Sequence, residues 1–224
     1  MTAARPLHIV LSSAFARILS RPPWRRLNSF LLNLVLKAEG YGNFRSFHES
    51  GEEFFIEQIL TKQNPRVCVD VGAHRGSYST LILQHTGAVV HAFEPHPENF
   101  RHLTHVAAGW GERMVLHEVA VGRKVGKAEL LYRENALGHA SLSPEVNAID
   151  YVSNNEAVDV SVTTLDEWWV QQGRPAVDFV KIDVEGFEAE VLEGAQRIIQ
   201  DIHPRFFQLE YNHHQMFRRE NLYT

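Results

Sequence analysis

Val69-Asp70-Val71-Gly72-Ala73-His74-Arg75-Gly76-Ser77-Tyr78-Ser79 runs from an apolar segment through a glycine turn into the start of a helix. Gly72 and Gly76 remove side chains where the backbone must turn sharply and approach a ligand. The new helix N-terminus offers unbonded N–H groups that suit a carboxylate or phosphate. Glu94 stands 22 residues after Gly72, closing the next apolar run in Phe93-Glu94-Pro95. A carboxylate there accepts hydrogen bonds from both ribose hydroxyls of a nucleoside cofactor. The turn and the acid together point to an adenosine-containing cofactor without saying which. The turn departs from the G-x-G-x-x-G dinucleotide fingerprint, because His74 occupies the position two after Gly72, and this disfavours a tight pyrophosphate contact.

A second group of reactive side chains lies in Lys181-Ile182-Asp183-Val184-Glu185-Gly186. Lys181 and Asp183 are two apart on a strand and share a face, which puts a cation and an anion inside an apolar run. Left unpaired there they would be costly. A structural ion pair that also involves Glu210 and a direct part in chemistry are both compatible with that placement. Asp183, Glu185, and His213 or His214 are candidate proton acceptors, histidine being suited to transfer near neutral pH. Asp183, Glu185 and Glu210 could offer oxygen ligands to a hard cation, but no dense ligand motif is present and no metal is expected. Cys68, the single cysteine, lies in an apolar run and reads as a core thiol.

These residues need a scaffold that brings strand ends together. From Pro65 onward, apolar runs alternate with helical patterns: a strand Val67 to Val71, a helix Ser77 to His85, a strand Ala88 to Phe93, a helix Glu98 to Ala107 and a run Val115 to Val121. Two extra strands, Lys127 to Tyr132 and Val158 to Val162, flank a polar insertion from Glu134 to Asn155. A helix Leu165 to Gln172, a strand Val177 to Ile182, a helix Glu188 to Ile199 and a strand Arg205 to Leu209 complete the pattern. The alternation predicts right-handed crossovers and a mostly parallel sheet with helices on both faces. Trp168 and Trp169 read as core, and the insertion around His139, Ala140 and Ser141 as an acceptor-side or cofactor-closing loop.

The motifs Phe93-Glu94-Pro95, Ala120-Val121-Gly122, Gly138 to Leu142, Thr164-Leu165-Asp166, the block Lys181 to Glu188, Leu192-Glu193-Gly194-Ala195 and Glu210 occur in that order. Together they resemble the FkbM family of methyltransferases over about residues 65 to 213. The resemblance implies a Rossmann-like class I methyltransferase fold, S-adenosylmethionine as methyl donor and O-methylation of a sugar or another small hydroxylated metabolite. It implies that Asp70, Gly72 and Gly76 frame the methionine part of the cofactor, that Glu94 binds ribose and that Val119 and Ala120 line the adenine. Ala73, His74, Ser77, Tyr78, Ser79, Pro95 and Ser141 would complete the cofactor contacts. Asp183 would face the transferred methyl, with Lys181, Glu185 and His213 as its catalytic neighbours. Sheets of this kind normally close with two strands beyond Glu210, so the chain is expected either to be a fragment or to form a shortened sheet.

Residues 1 to 50 lie outside the resemblance and read as an N-terminal helical extension, followed by the Rossmann-like domain over 51 to 224. Helical spacing from Pro6 to Ala38 is punctuated by Pro22 and Pro23, and Gly40 to Ser50 reads as a loop. Residues 1 to 45 carry seven Lys/Arg against Glu39, a net of +6, leaving −11 on the remainder of a chain of net −5. The acidic body argues against nucleic acid as a partner. The basic arm is compatible with weak contact to a membrane surface or an acidic partner, and with a plain solvated helix face. No run reaches the roughly 20 apolar residues of a membrane span. A secretory leader over Met1 to Ala16 is weakened by Pro6, His8 and two serines, and a cytoplasmic setting is expected. A nicotinamide-dependent oxidoreductase is the alternative enzyme, opposed by His74 and by the absence of a Tyr-x-x-x-Lys pair. A non-catalytic binding module is the other alternative, opposed by the intact glycine turn and Glu94.

Overall fold

The computed structural model describes residues 19, 21–38, 46–134, 136–144, 147 and 154–210. The chain divides into two compact units, Met1–Ser50 and Gly51–Thr224. In the first, the consecutive prolines open a tight turn, Pro22–Trp24, which passes directly into helix α1, Arg25–Ala38. Proline is at home there because the first helical N–H groups have no partner to lose. Where the sequence predicted a loop, residues Phe47–Ser50 form a single helical turn, α2. Ser46 starts it by accepting the N–H of Glu49 on its hydroxyl, a local cap that outweighs the loop-like composition. The helical pattern predicted before Pro22 lies outside the described residues apart from Leu19 and Arg21, and the secretory reading lies wholly outside them.

The second unit begins with helix α3, Glu52–Phe55, which continues through a wider turn, Ile56–Leu60, and a tight one, Thr61–Gln63. The parallel sheet is built from β1 (Val67–Val71), β2 (Val89–Phe93), β3 (Met114–His117), β7 (Phe179–Ile182) and β8 (Phe206–Leu209). Its order is β3-β2-β1-β7-β8, and each neighbouring pair is parallel. Helices α4 (Ser77–His85), α5 (Pro97–Ala107), α6 (Leu165–Gln171) and α7 (Glu188–Glu193) lie between the strands in sequence. The chain moves outward from β1 to β3, then returns to place β7 on the other side of β1. That reversal is the topological switch point, where open α/β sheets bind ligands outside the carboxyl ends of their strands. The architecture is the doubly wound, Rossmann-like one the alternation predicted.

Alternate strand residues face opposite helix layers. Val69, Val71, Phe93, Val180 and Ile182 are buried against Trp168 and Trp169 of α6 and against Val191, Ala195 and Ile198. On the other face Asp70 meets Ser79 of α4, and Phe179 meets Phe55 of α3. Cys68 is buried on this face, and burial pushes its thiol well above the ordinary range, as expected of a core thiol.

Two predicted elements break in ways the apolar pattern did not reveal. The run Val115 to Val121 splits at Glu118: β3 stays in the main sheet, while β4 (Ala120–Val121) pairs in parallel with β6 (Glu156–Thr163) in a second sheet. β6 also pairs antiparallel with β5 (Gly126–Tyr132), giving the order β4-β6-β5. The helix predicted from Glu188 to Ile199 stops at Gly194, and a wider turn, Ile198–Ile202, follows. A Cβ on Gly194 would lie 2.1 Å from the carbonyl oxygen of Gly122, so the interruption permits close contact between the end of α7 and the second sheet.

Candidate active site at the carboxyl ends of the parallel strands

The β1 turn is anchored to the ends of both neighbouring strands. The N–H groups of Gly72 and Ala73 both donate to the carbonyl of Phe93, at 3.0 and 2.9 Å, and the N–H of Asp183 donates to the carbonyl of Val71 at 3.0 Å. Gly72 has φ +84°, and a Cβ there would lie 1.8 Å from the carbonyl oxygen of Asp183. The missing side chain therefore lets the turns after β1 and β7 touch at the switch point. Gly76, at φ +83°, is closed in by Leu103 and Met114, so its lack of a side chain serves packing as well as turning. Gly76 at the N-cap of α4 brings no capping side chain, and the first N–H groups of an α-helix have no acceptor within the helix itself.

Glu94 knits this turn together. Its Oε2 accepts the N–H of His74 at 2.8 Å, while its Oε1 accepts the N–H of His96 at 2.9 Å and the amide of Asn99 at 3.3 Å. A carboxylate offers about four acceptor positions, so three are spent on the protein and one remains on Oε2. Glu94 is 5% exposed, and burial pushes its carboxyl above the usual range despite the three donors.

Beneath the turn, Lys181 is the centre of a buried charged cluster. Register places it opposite Asp70, and its Nζ lies 2.8 Å from Asp183 Oδ2 and 3.7 Å from Asp70 Oδ1. The ammonium also sits 4.8 Å above the Tyr78 ring. Asp70 is fully buried and receives the Ser79 hydroxyl on Oδ2 at 2.6 Å. The Tyr78 hydroxyl donates to Gln208 of β8, whose amide donates in turn to Glu52 at 2.8 Å. The two neighbouring carboxylates hold Lys181 charged against the cost of burial. Asp183 also hydrogen-bonds Glu210. Lys181 holds Asp183 below the usual carboxylate range despite its burial, and burial together with the Asp183 charge pushes Glu210 well above that range. Asp183, Glu185 and Glu210 bring one oxygen each within 4.8 Å of one another.

The second sheet delivers a further group to the same edge. Ser141 bridges to Leu131 of β5, and its hydroxyl donates to the carbonyl of Glu185 at 2.7 Å while accepting the N–H of Ser143. This clamp brings His139 to Glu185, with Nδ1 3.5 Å from Oε1, and the Glu185 contact raises the imidazole above its ordinary value. The loop that carries Glu185 is tight: Glu185 and Gly186 have φ of +53° and +93°, and Glu188 accepts the N–H groups of Val184 and Gly186.

The structure thus brings together Asp70, Gly72, Ala73, His74, Gly76, Ser77, Tyr78, Ser79, Glu94, Ser141, Lys181, Asp183 and Glu185 around three strand ends. Pro95 lies next to Glu94 and is half-buried. Val119 packs against the main core, whereas Ala120 belongs to the core of the second sheet. His213 and His214 lie outside the described residues. Asn99, His96 and Gln208 were not singled out from the sequence. Asn99 carried a signal, an amide one helical turn beyond a strand-end acid. Gln208 carried none, because its partner Tyr78 is 130 residues away.

A 2-O-methyltransferase, NoeI, of Sinorhizobium fredii is 27% identical over 175 residues, covering 72% of this chain and 69% of that protein. A hexuronic acid methyltransferase, AglP, of Haloferax volcanii is 27% identical over 154 residues, covering 68% and 59%. The 31-O-demethyl-FK506 methyltransferase FkbM of Streptomyces tacrolimicus is also 27% identical over 154 residues, covering 58% and 59%. The chain therefore spans about six- to seven-tenths of the length of these relatives. Among solved structures, the O-methyltransferase from Bacillus cereus in complex with SAH aligns with a TM-score of 0.38 at 10% identity, over 82% of this chain and 67% of that one. The family model described as the methyltransferase FkbM domain matches residues 70–223, which include every strand end described above. Because that match covers more than half of the sequence, the chain belongs to the FkbM family of methyltransferases.

Proposed function

We propose that the protein uses S-adenosylmethionine to methylate a hydroxyl of a sugar or another small hydroxylated molecule. The observation that carries the reading is the meeting of three strand ends at the switch point: the uncapped α4 turn, Glu94 with one acceptor position left, and the Asp183 loop touching Gly72. The residues present fit such a cofactor. The N-terminal turn of α4 suits an amino-acid carboxylate, and the remaining lone pair of Glu94 Oε2 suits one ribose hydroxyl. The relatives' names, a 2-O-methyltransferase and a hexuronic acid methyltransferase, support oxygen as the acceptor and a sugar as its class. Membership of a methyltransferase family disfavours the nicotinamide alternative.

When bound, S-adenosylmethionine supplies a methyl group on a sulfonium that is open to in-line attack. The chain's own contribution is then alignment and proton removal. Asp183, held ionised by Lys181, would present negative charge to a sulfonium bound outside the end of β7. His139, oriented through Nδ1 by Glu185, is the group we assign to take the acceptor proton, because it is partly exposed and sits at the same edge. Ser141 fixes the loop that presents it.

Calorimetry with S-adenosylmethionine, its demethylated product and the nicotinamide dinucleotides tests the cofactor. Preferential dinucleotide binding would end the proposal. Methyl transfer from labelled cofactor to a panel of hexuronic acids and neutral sugars, read by mass spectrometry, tests the acceptor. With an acceptor in hand, His139→Asn should lower kcat while leaving cofactor affinity unchanged. The wild-type rate should rise with pH through a pKa above 6.5, the ordinary histidine value, and Glu185→Gln should move that limb downward.

A further inference from the structure

Helix α1 carries an apolar stripe of the kind that packs a helix, and the described residues leave that stripe exposed. Leu27, Phe30, Leu31, Leu34 and Val35 recur at i, i+3, i+4, i+7 and i+8. Phe30 and Val35 are each 58% exposed and Leu34 is 49% exposed. From Arg25 to Val35 every side chain except the half-buried Asn28 is exposed, so none of the stripe is covered by the described residues. Among the described residues, no helix is long and apolar enough to cross a membrane. At 14 residues, α1 extends about 21 Å.

The chemistry around the stripe narrows what covers it. Arg21, Arg25 and Arg26 are exposed at its start, and the helix contains no acidic residue. Trp24, 42% exposed, stands at the same end, and indole rings favour the boundary between headgroups and hydrocarbon. A second copy of the helix would bring like charges together. Nucleic acid would satisfy the arginines and leave the leucines in water. A leaflet that contains anionic lipid satisfies both, taking the apolar stripe into the acyl boundary while the arginines reach phosphates. We propose that α1 is an interfacial helix through which the protein binds anionic membrane surfaces, with the helix lying in the plane of the leaflet.

The test is vesicle co-sedimentation of the full chain. The probes are phosphatidylcholine vesicles with and without about 30 mol% phosphatidylglycerol, at low and at about 0.5 M salt. Binding is expected only with the anionic lipid and weakens in high salt. Phe30→Asp with Leu34→Asp should abolish it. Arg21→Glu, Arg25→Glu and Arg26→Glu together should weaken it by roughly 100-fold or more, since each lost arginine is worth about a fivefold factor at the surface. All five positions are exposed, so the thermal midpoint should be unchanged, which separates lost docking from lost folding. Failure to bind either vesicle overturns the proposal, as does equal binding to both. A concentration-dependent dimer that the Phe30 and Leu34 variant dissolves would assign the stripe to a second copy instead. None of these outcomes depends on methyl transfer.

Discussion

Replacing Glu94 by alanine separates two roles that the strand-end carboxylate combines. In the folded protein it accepts from His74 N–H, His96 N–H and the Asn99 amide, at 2.8, 2.9 and 3.3 Å. A buried donor left without its acceptor costs about 1–3 kcal/mol. Three such losses set an upper bound that is offset in two ways: water enters the space left by the side chain, and the burial penalty on the carboxylate, which raises its pKa, disappears. The net expectation is a destabilisation of about 2–4 kcal/mol, or a fall in Tm on the order of 10 °C for a unit of this size. Loss of the remaining Oε2 contact to ribose should weaken S-adenosylmethionine binding by about 1.5–3 kcal/mol, roughly 10- to 150-fold. Thermal unfolding without ligand reads the first effect, and calorimetry well below the variant's Tm reads the second. A wild-type Tm would show that Glu94 does not organise the turn. A lowered Tm with unchanged affinity would remove it from the cofactor site while leaving its structural part intact.

Gly72→Ala should destabilise by about 3 kcal/mol or more, because the added Cβ meets the Asp183 carbonyl at 1.8 Å and φ is +84°. Gly126→Ala, with nothing within 4 Å, is the control, and equal urea midpoints for the two variants would refute the close approach. Lys181→Met strands the fully buried Asp70 and removes the cation that holds Asp183 ionised, so a loss of about 3–5 kcal/mol is expected. A urea midpoint equivalent to less than about 1 kcal/mol would show that the cluster is not coupled as drawn. His91 and His117, 3.1 Å apart between ring nitrogens, are each pushed down to about 4, first by burial. Their folded pKa values lie below the unfolded value, so the unfolded chain takes up protons first. The stability they contribute is present above pH 6.5 and is lost as pH falls from there towards 4, by roughly 2–3 kcal/mol for the partly solvated pair. His117→Gln should flatten that slope in denaturation measured across the window, and an unchanged slope would sink the assignment.

Local pattern carried far because parallel strands buried on both faces are short, apolar and bounded by turns. β1, β2 and α4 fall within about a residue of the spans read from the sequence, and Gly72, Glu94 and Asp183 were legible as strand-end residues for that reason. The pattern failed where one apolar run serves two sheets. Nothing between Val115 and Val121 tells that Glu118 is where the chain leaves the main sheet, because both halves are equally apolar and the switch depends on β6 being available about 40 residues later.

By itself, then, the sequence determined the alternation of strands and helices, the glycine turn, the acid that ends β2 and the family block from Lys181 to Glu188, since each is written in residues adjacent in the chain. Tertiary structure alone decided the remaining partners. Lys181, already expected beside Asp183, also meets Asp70, Glu94 meets the backbone of its own turn, and His139 meets Glu185. The reason is register: which side chains meet is fixed by which strand lies beside which, and residues as far apart as Tyr78 and Gln208 are brought within hydrogen-bonding distance only when the sheet forms.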